Sequence, residues 1–289
     1  MKNMYEVREV LPEEISEKLC EIPQPPEKLW LRGKMPPLGT KFLTVVGSRA
    51  LTRYGREACE SLMQGLAGYP ISIISGLALG ADACAHRAAL LVGLHTIGVP
   101  GSGLSDEVIS PRTNLGLARE ILERGGALIS EHASDHVAFP HDFPSRNRIM
   151  VGMSDAVLVI EAGIKSGTLI TARLTADYSR DLLCVPHRIG DPNSFGCHQF
   201  LRLGATLVSE SAHILEALGI EQKVQSSGNI LPTLTSDERK LYDLLDEPLP
   251  RDEVIRASGM LPHVALTTLG IMEMNGVLKE EFGAWRRVI

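Results

Sequence analysis

Apolar residues gather in short runs over the first three-quarters of the chain, and longer mixed stretches separate them. The runs Phe42–Val46, Ile71–Ile74, Thr96–Val99, Ala127–Ile129, Ala156–Ile160 and Leu182–Val185 predict strands. Helical patterns fall between them, over Tyr54–Leu66, Ala81–Leu91, Asn114–Glu123, Arg146–Met153 and Thr168–Tyr178. Apolar strands that alternate with helices imply an α/β fold with a mainly parallel sheet covered on both faces. Such a sheet presents its binding loops at the carboxyl ends of its strands.

The pattern changes at both ends. Residues 1–40 read as a lead-in, broken by Ile22-Pro-Gln-Pro-Pro26 and Met35-Pro-Pro37, with a short strand near Lys28–Leu31. Residues 41–220 hold the alternating pattern. Residues 221–232 are polar and read as a linker. Within 233–289, a capped helix starts at Ser236, a second spans Pro250–Gly259 and a third Pro262–Met274. A hairpin then turns near Gly283. Three helices and a hairpin predict a small C-terminal winged-helix domain.

Composition narrows the classes. A chain of 289 residues, 44% apolar, suits one larger and one smaller globular domain. No apolar run approaches the roughly 18 residues of a membrane helix, and the first residues lack a signal peptide's apolar centre. The expectation is a cytoplasmic protein with no membrane partner. Five scattered cysteines without a CxxC pair read as reduced thiols and give no zinc motif, so neither metal nor cofactor is expected. The net charge of −6 means that any phosphate must find a local basic groove.

Four segments could make one. Val46-Gly-Ser-Arg49 ends the first strand of the body, where Gly47 allows a tight turn and Arg49 a forked phosphate contact. It could equally be a turn with a solvated charge. Ser75-Gly-Leu-Ala-Leu-Gly-Ala-Asp82 opens a helix whose free N–H groups face the same edge. Asp82 and His86 share a face of that helix, as a local structural contact or as a catalytic or metal pair, though no further ligands stand at readable spacing. Phe143-Pro-Ser-Arg-Asn-Arg148 enters the next helix with guanidinium, amide and guanidinium groups in a row, and Phe143 could stack on a base. Alternatively Phe143 packs inward, and Arg146 and Arg148 pair with acids such as Asp142 and Glu161. Lys165-Ser-Gly-Thr168 turns from strand to helix with a charge and backbone donors, or is a small-residue turn with a solvated lysine. Pro100-Gly-Ser-Gly103 lacks the third glycine of a dinucleotide site, and no Gly-x-x-x-x-Gly-Lys-Ser/Thr is present.

Together these segments, with Val159-Ile-Glu-Ala162 and Ser166-Gly-Thr-Leu-Ile-Thr-Ala172, resemble the DprA/Smf family of DNA-processing proteins in order and spacing. The resemblance covers roughly residues 22–220, and the C-terminal domain fits it. It implies an extended Rossmann-like fold that binds and protects single-stranded DNA without hydrolysing it. It implies a homodimer and the RecA recombinase as partner, loaded onto incoming strands in natural transformation. The family's groove falls on Ser48, Arg49, Phe143, Arg146, Asn147, Arg148, Lys165, Ser166, Gly167 and Thr168. The sequence departs from the family at Leu79, where arginine is usual, at Ser110 and at His187. The resemblance implies that the N-terminal helical domain of many members is missing or reduced to residues 1–20.

Two other functions compete. A related Rossmann-like enzyme that cleaves nucleoside monophosphates needs a glutamate three residues after Thr168, where this chain has Thr171. A regulator reading duplex DNA would use the winged helix. From residue 230 onward, however, seven Lys and Arg face ten Asp and Glu, and Pro262–Met274 has no Lys or Arg.

Overall fold

A computed structural model describes residues 5–164, 166–222, 234–281 and 283–287. The chain divides into two compact units, one up to Glu221 and one from Gln222 onward. The expected linker, 221–232, lies almost wholly outside the described residues.

The larger unit begins with β1 (Arg8–Val10), the one-turn helices α1 (Pro12–Ile15) and α2 (Glu17–Cys20), and β2 (Leu29–Gly33). The alternating body follows: β3 (Lys41–Val46), α3 (Arg53–Gly65), β4 (Ile71–Ser75), α4 (Ala81–Leu91), β5 (His95–Gly98), α5 (Leu115–Glu123), β6 (Ala127–Ser130), α6 (Asp142–Met153), β7 (Ala156–Val159), α7 (Thr168–Asp177) and β8 (Asp181–Cys184). Then come α8 (Phe195–Arg202), β9 (Thr206–Leu207) and α9 (Ser211–Ala217). One sheet takes all nine strands, in the order β1-β2-β6-β5-β4-β3-β7-β8-β9. From β6 to β9 every pairing is parallel, while β1 and β2 add an antiparallel edge. The lead-in is therefore part of the sheet. Trp30 sits opposite Ser130, and Leu29 and Leu31 are buried.

Side-chain alternation along the central strands builds a core on each face. Leu43, Val45, Ile71, Ile73 and Leu158 point to the side of α3, α4 and α9. Val46, Ile74, Val157 and Val159 point to the side of α1, α2 and α6, with Leu169 and Leu174 of α7 packed against them. The buried Thr44 lies on the second face. Its hydroxyl meets Ser154 Oγ at 2.5 Å and donates to the Met150 carbonyl, so this polar atom stays satisfied inside the core.

The smaller unit holds α10 (Ser236–Leu244), β10 (Leu249–Pro250), α11 (Arg251–Ser258), α12 (Pro262–Met274), β11 (Leu278–Glu281) and β12 (Ala284–Arg287). The three strands pair antiparallel in the order β10-β12-β11. Thr235 caps α10 and exchanges hydrogen bonds with Glu238, an arrangement worth about 1 kcal/mol. Gly259 ends α11 at φ 60°, a left-handed position that suits glycine. Leu241, Val254, Leu269, Met272 and Trp285 form the unit's own core. Among the described residues no single helix is long and apolar enough to cross a membrane.

Candidate nucleic-acid interface

The parallel strands spread from β3 in both directions, through β4, β5 and β6 on one side and through β7, β8 and β9 on the other. The helix after β3 covers one face, and the helix after β7 covers the opposite face. The loops leaving these neighbouring strands therefore part, and a crevice opens at their carboxyl ends. A cavity of about 780 Å³ occupies that position.

Its walls come from distant parts of the chain. Gly47, Ser48 and Arg49 follow β3, Ala78 and Asp82 follow β4, and Gly163, Ser166, Gly167, Thr168 and Thr171 follow β7. Phe143, Arg146 and Asn147 enter from α6, and Asn193 closes one side. Eight of the ten sequence-predicted groove residues meet here. Arg148 does not line the cavity, and Lys165 lies outside the described residues.

The two walls need small residues. A Cβ at Gly47 would press on the Ala81 methyl at 2.7 Å. Gly80 has φ +76°, and a side chain there would run into the carbonyls of Ser48 and Arg49. This close approach lets the Ala81 N–H donate to the Ser48 carbonyl at 3.0 Å, which fastens the β3 loop to the start of α4. Ser48 Oγ accepts from the Ala50 N–H at 3.1 Å and braces the same turn. At the start of α7, Ser166 Oγ accepts from the Thr168 N–H at 3.2 Å and donates to Thr168 Oγ1 at 2.8 Å.

The arginines separate into different kinds. Arg49 is exposed, makes no ion pair with the described residues, and lies over the Phe143 ring at 5.7 Å. Arg146 is buried. Its Nη1 donates to the Gly76 carbonyl at 2.6 Å and to the Val99 carbonyl, its Nε donates to Asn147 Oδ1 at 2.9 Å, and Nη2 lies 3.7 Å from Asp82. A side chain at Gly76 would collide with this guanidinium. Burial pushes the Asp82 carboxyl above its usual range, against Arg146 and the Gly76 and Ala78 amides that favour its charge. The same burial lowers Arg146, which Asp82 holds up and Arg49 pushes further down. Arginine starts so high that it keeps its charge. The expectation of a free guanidinium at Arg146 is thus corrected: its head joins the ends of β4 and β5 to α6. Arg148 is corrected likewise. It donates to the Gln24 carbonyl at 2.5 Å and pairs with Glu131, which ties α6 to the lead-in and to the end of β6.

The acids expected to pair with these arginines are engaged elsewhere. Glu161 is buried and accepts from the Thr52 N–H, the Thr52 hydroxyl and Asn193 Nδ2, and so links the loops after β3, β7 and β8. Asp142 faces His132, His136 and His141. Asp82 and His86 form no catalytic pair, since His86 Nδ1 meets the Thr96 hydroxyl at 2.7 Å. Asn193, absent from the sequence-predicted groove, sits in a stretch with no strand or helix signal of its own.

The profile of DNA recombination-mediator protein A matches residues 8–219. The chain belongs to that family. It is 36% identical to protein Smf of Escherichia coli over 271 residues, which cover 91% of this chain and 72% of that one. It is 37% identical to the DNA processing protein DprA of Streptococcus pneumoniae over 197 residues, 68% of each. The solved Streptococcus pneumoniae DprA structure superposes with a TM-score of 0.68 and covers 74% of each chain. DNA processing protein A of Helicobacter pylori, solved in a study of its single-stranded DNA binding mode, superposes with a TM-score of 0.64 at 27% identity. It covers 75% of this chain and 98% of that one.

Proposed function

We propose that this protein binds single-stranded DNA in the crevice between the β3 and β7 loops and performs no chemistry on it. The observation that carries the reading is the exposed Arg49 stacked on Phe143 at the mouth of a cavity walled by backbone-rich turns. Arg49 supplies the mobile charge for phosphate, Phe143 the face for a base, and the turns at 47–49 and 166–168 the polar groups between them. Buried Arg146 and half-buried Arg148 hold α6 in place and act as positioning groups. Lys165, which falls between β7 and α7 in the sequence, is proposed as a second phosphate contact.

The cavity carboxylate also supports binding over nucleotide cleavage. Asp82 is committed to Arg146 and two amides, and Thr171 stands where the related nucleotide-cleaving enzymes have a glutamate. In cells the proposed role is protection of incoming strands in the cytoplasm and delivery of them to the RecA recombinase in natural transformation and recombination. The active form is proposed to be a homodimer, which joins two grooves and raises avidity. The C-terminal unit is proposed to be a winged helix. The lack of Lys and Arg in α12 favours a protein-contact role for it over duplex readout.

Fluorescence anisotropy with labelled oligothymidine tests the reading. Binding should be at least tenfold weaker in Arg49→Ala and should hold in duplex-competition controls. Undiminished binding by an Arg49→Ala/Phe143→Ala variant would remove the crevice from the reading.

A further inference from the structure

The loop between β6 and α6 carries three histidines, at 132, 136 and 141, directly before Asp142. All three turn their Nε2 atoms toward one carboxylate. His136 Nε2 lies 2.8 Å from Asp142 Oδ2, while His132 and His141 Nε2 lie 3.6 and 3.3 Å from Oδ1. The His132 and His136 rings stack with centroids 4.1 Å apart. Asp142 is buried, His132 and His136 are partly exposed, and His141 is on the surface.

The positions are set by the backbone. The Gly103 N–H donates to the His136 carbonyl at 2.8 Å, and the Ser105 N–H to the Ser134 carbonyl at 2.9 Å. A side chain at Gly103 would strike the carbonyls of Ala133 and Ser134, so the turn sits directly on that segment. The His132 N–H donates to Ser130 Oγ, and the Phe139 N–H to Asp142 Oδ2. The donor atoms of His132, His136 and Asp142 lie within 4.8 Å of one another. Neighbouring ligands of a tetrahedral zinc ion, each about 2.1 Å from the metal, stand about 3.4 Å apart, close to the 2.8 and 3.6 Å between the imidazole nitrogens and the carboxylate here. Two imidazoles with one carboxylate suit a borderline first-row ion and not magnesium or calcium.

We propose that His132, His136 and Asp142 bind one divalent ion of the zinc class, with solvent completing its coordination. Asp142 lies between Pro140 and Phe143, two residues of the cavity wall. Metal binding would therefore clamp the 131–141 loop onto the first turn of α6 and fix the wall that carries Phe143.

Titration of the full-length protein with Zn²⁺ by calorimetry, and with Co²⁺ by visible absorption, tests this. The expected result is saturable uptake of one equivalent, with a Tm that rises with Zn²⁺ concentration. His132→Gln/His136→Gln should weaken Zn²⁺ binding about 100-fold or more. His136→Gln alone, at a partly exposed position, should weaken it about tenfold or more with unchanged circular dichroism. That second variant decides the matter if the first does not fold. Absence of one-equivalent uptake, or uptake equally tight in the variants that fold, would overturn the site.

Discussion

Arg49 and Arg146 line the same cavity with the same head group, and burial gives them different work. Among the described residues Arg49 is held by the Phe143 ring alone, so its removal should cost binding and leave the fold alone. Arg49→Ala should lower oligothymidine affinity at least tenfold in anisotropy titrations, with Tm unchanged. Phe143→Ala should remove about 1–3 kcal/mol of stacking in the same assay. Arg146→Ala should instead unfold more easily, by about 3–5 kcal/mol in urea titrations. It strands Asp82 without its cation and the Gly76 and Val99 carbonyls without their donor. His86 sets a pH limit. Burial holds its imidazole at a pKa of about 3, below the unfolded value of 6.5, so the unfolded chain takes up a proton first as pH falls. Its contribution to stability is complete above pH 6.5 and is lost progressively down to about pH 3. At pH 5 the loss should reach about 2 kcal/mol in denaturant titrations, and His86→Gln should flatten that slope.

Elements were legible where burial repeats over several residues. The six strand runs lie within one residue of β3 to β8, and Ala81–Leu91 and Pro262–Met274 match α4 and α12 at both ends. The helix over 146–153 begins four residues earlier, at Asp142, because Pro144 is tolerated in a first turn. Three-residue β1, two-residue β9 and the one-turn helices α1 and α2 left no readable period, since their pairing partners are remote in sequence. The crevice was legible because carboxyl-end loops converge in any such sheet. The internal bonding of Arg146 was not, because its acceptors Gly76 and Val99 are 70 and 47 residues away. The histidine cluster was hidden for a similar reason: the turn that gathers its rings is shaped by the 103–105 segment. At this scale Gly80→Ala should destabilise by more than 1 kcal/mol in thermal unfolding. It would force a positive φ on alanine and drive its methyl into the Ser48–Arg49 backbone.

Across the whole molecule the net charge is −6, and the described crevice offers one unpaired cation, Arg49. Single-strand contacts release counterions with a slope of about −0.7 per phosphate. If Arg49 and Lys165 are the main phosphate contacts, the logarithm of affinity should fall with the logarithm of salt at a slope of about −1.4 per protomer. Arg49→Ala should bring that to about −0.7 in anisotropy titrations across a salt series. A shallow slope with firm binding would mean that stacking and backbone donors supply most of the affinity. The most direct measurement is photocrosslinking of oligothymidine carrying 4-thiothymidine, with adducts located by peptide mass spectrometry. Binding in the crevice predicts adducts within residues 47–50, 139–147 and 163–171. Adducts confined to the β1–β2 edge or to the C-terminal unit would contradict it.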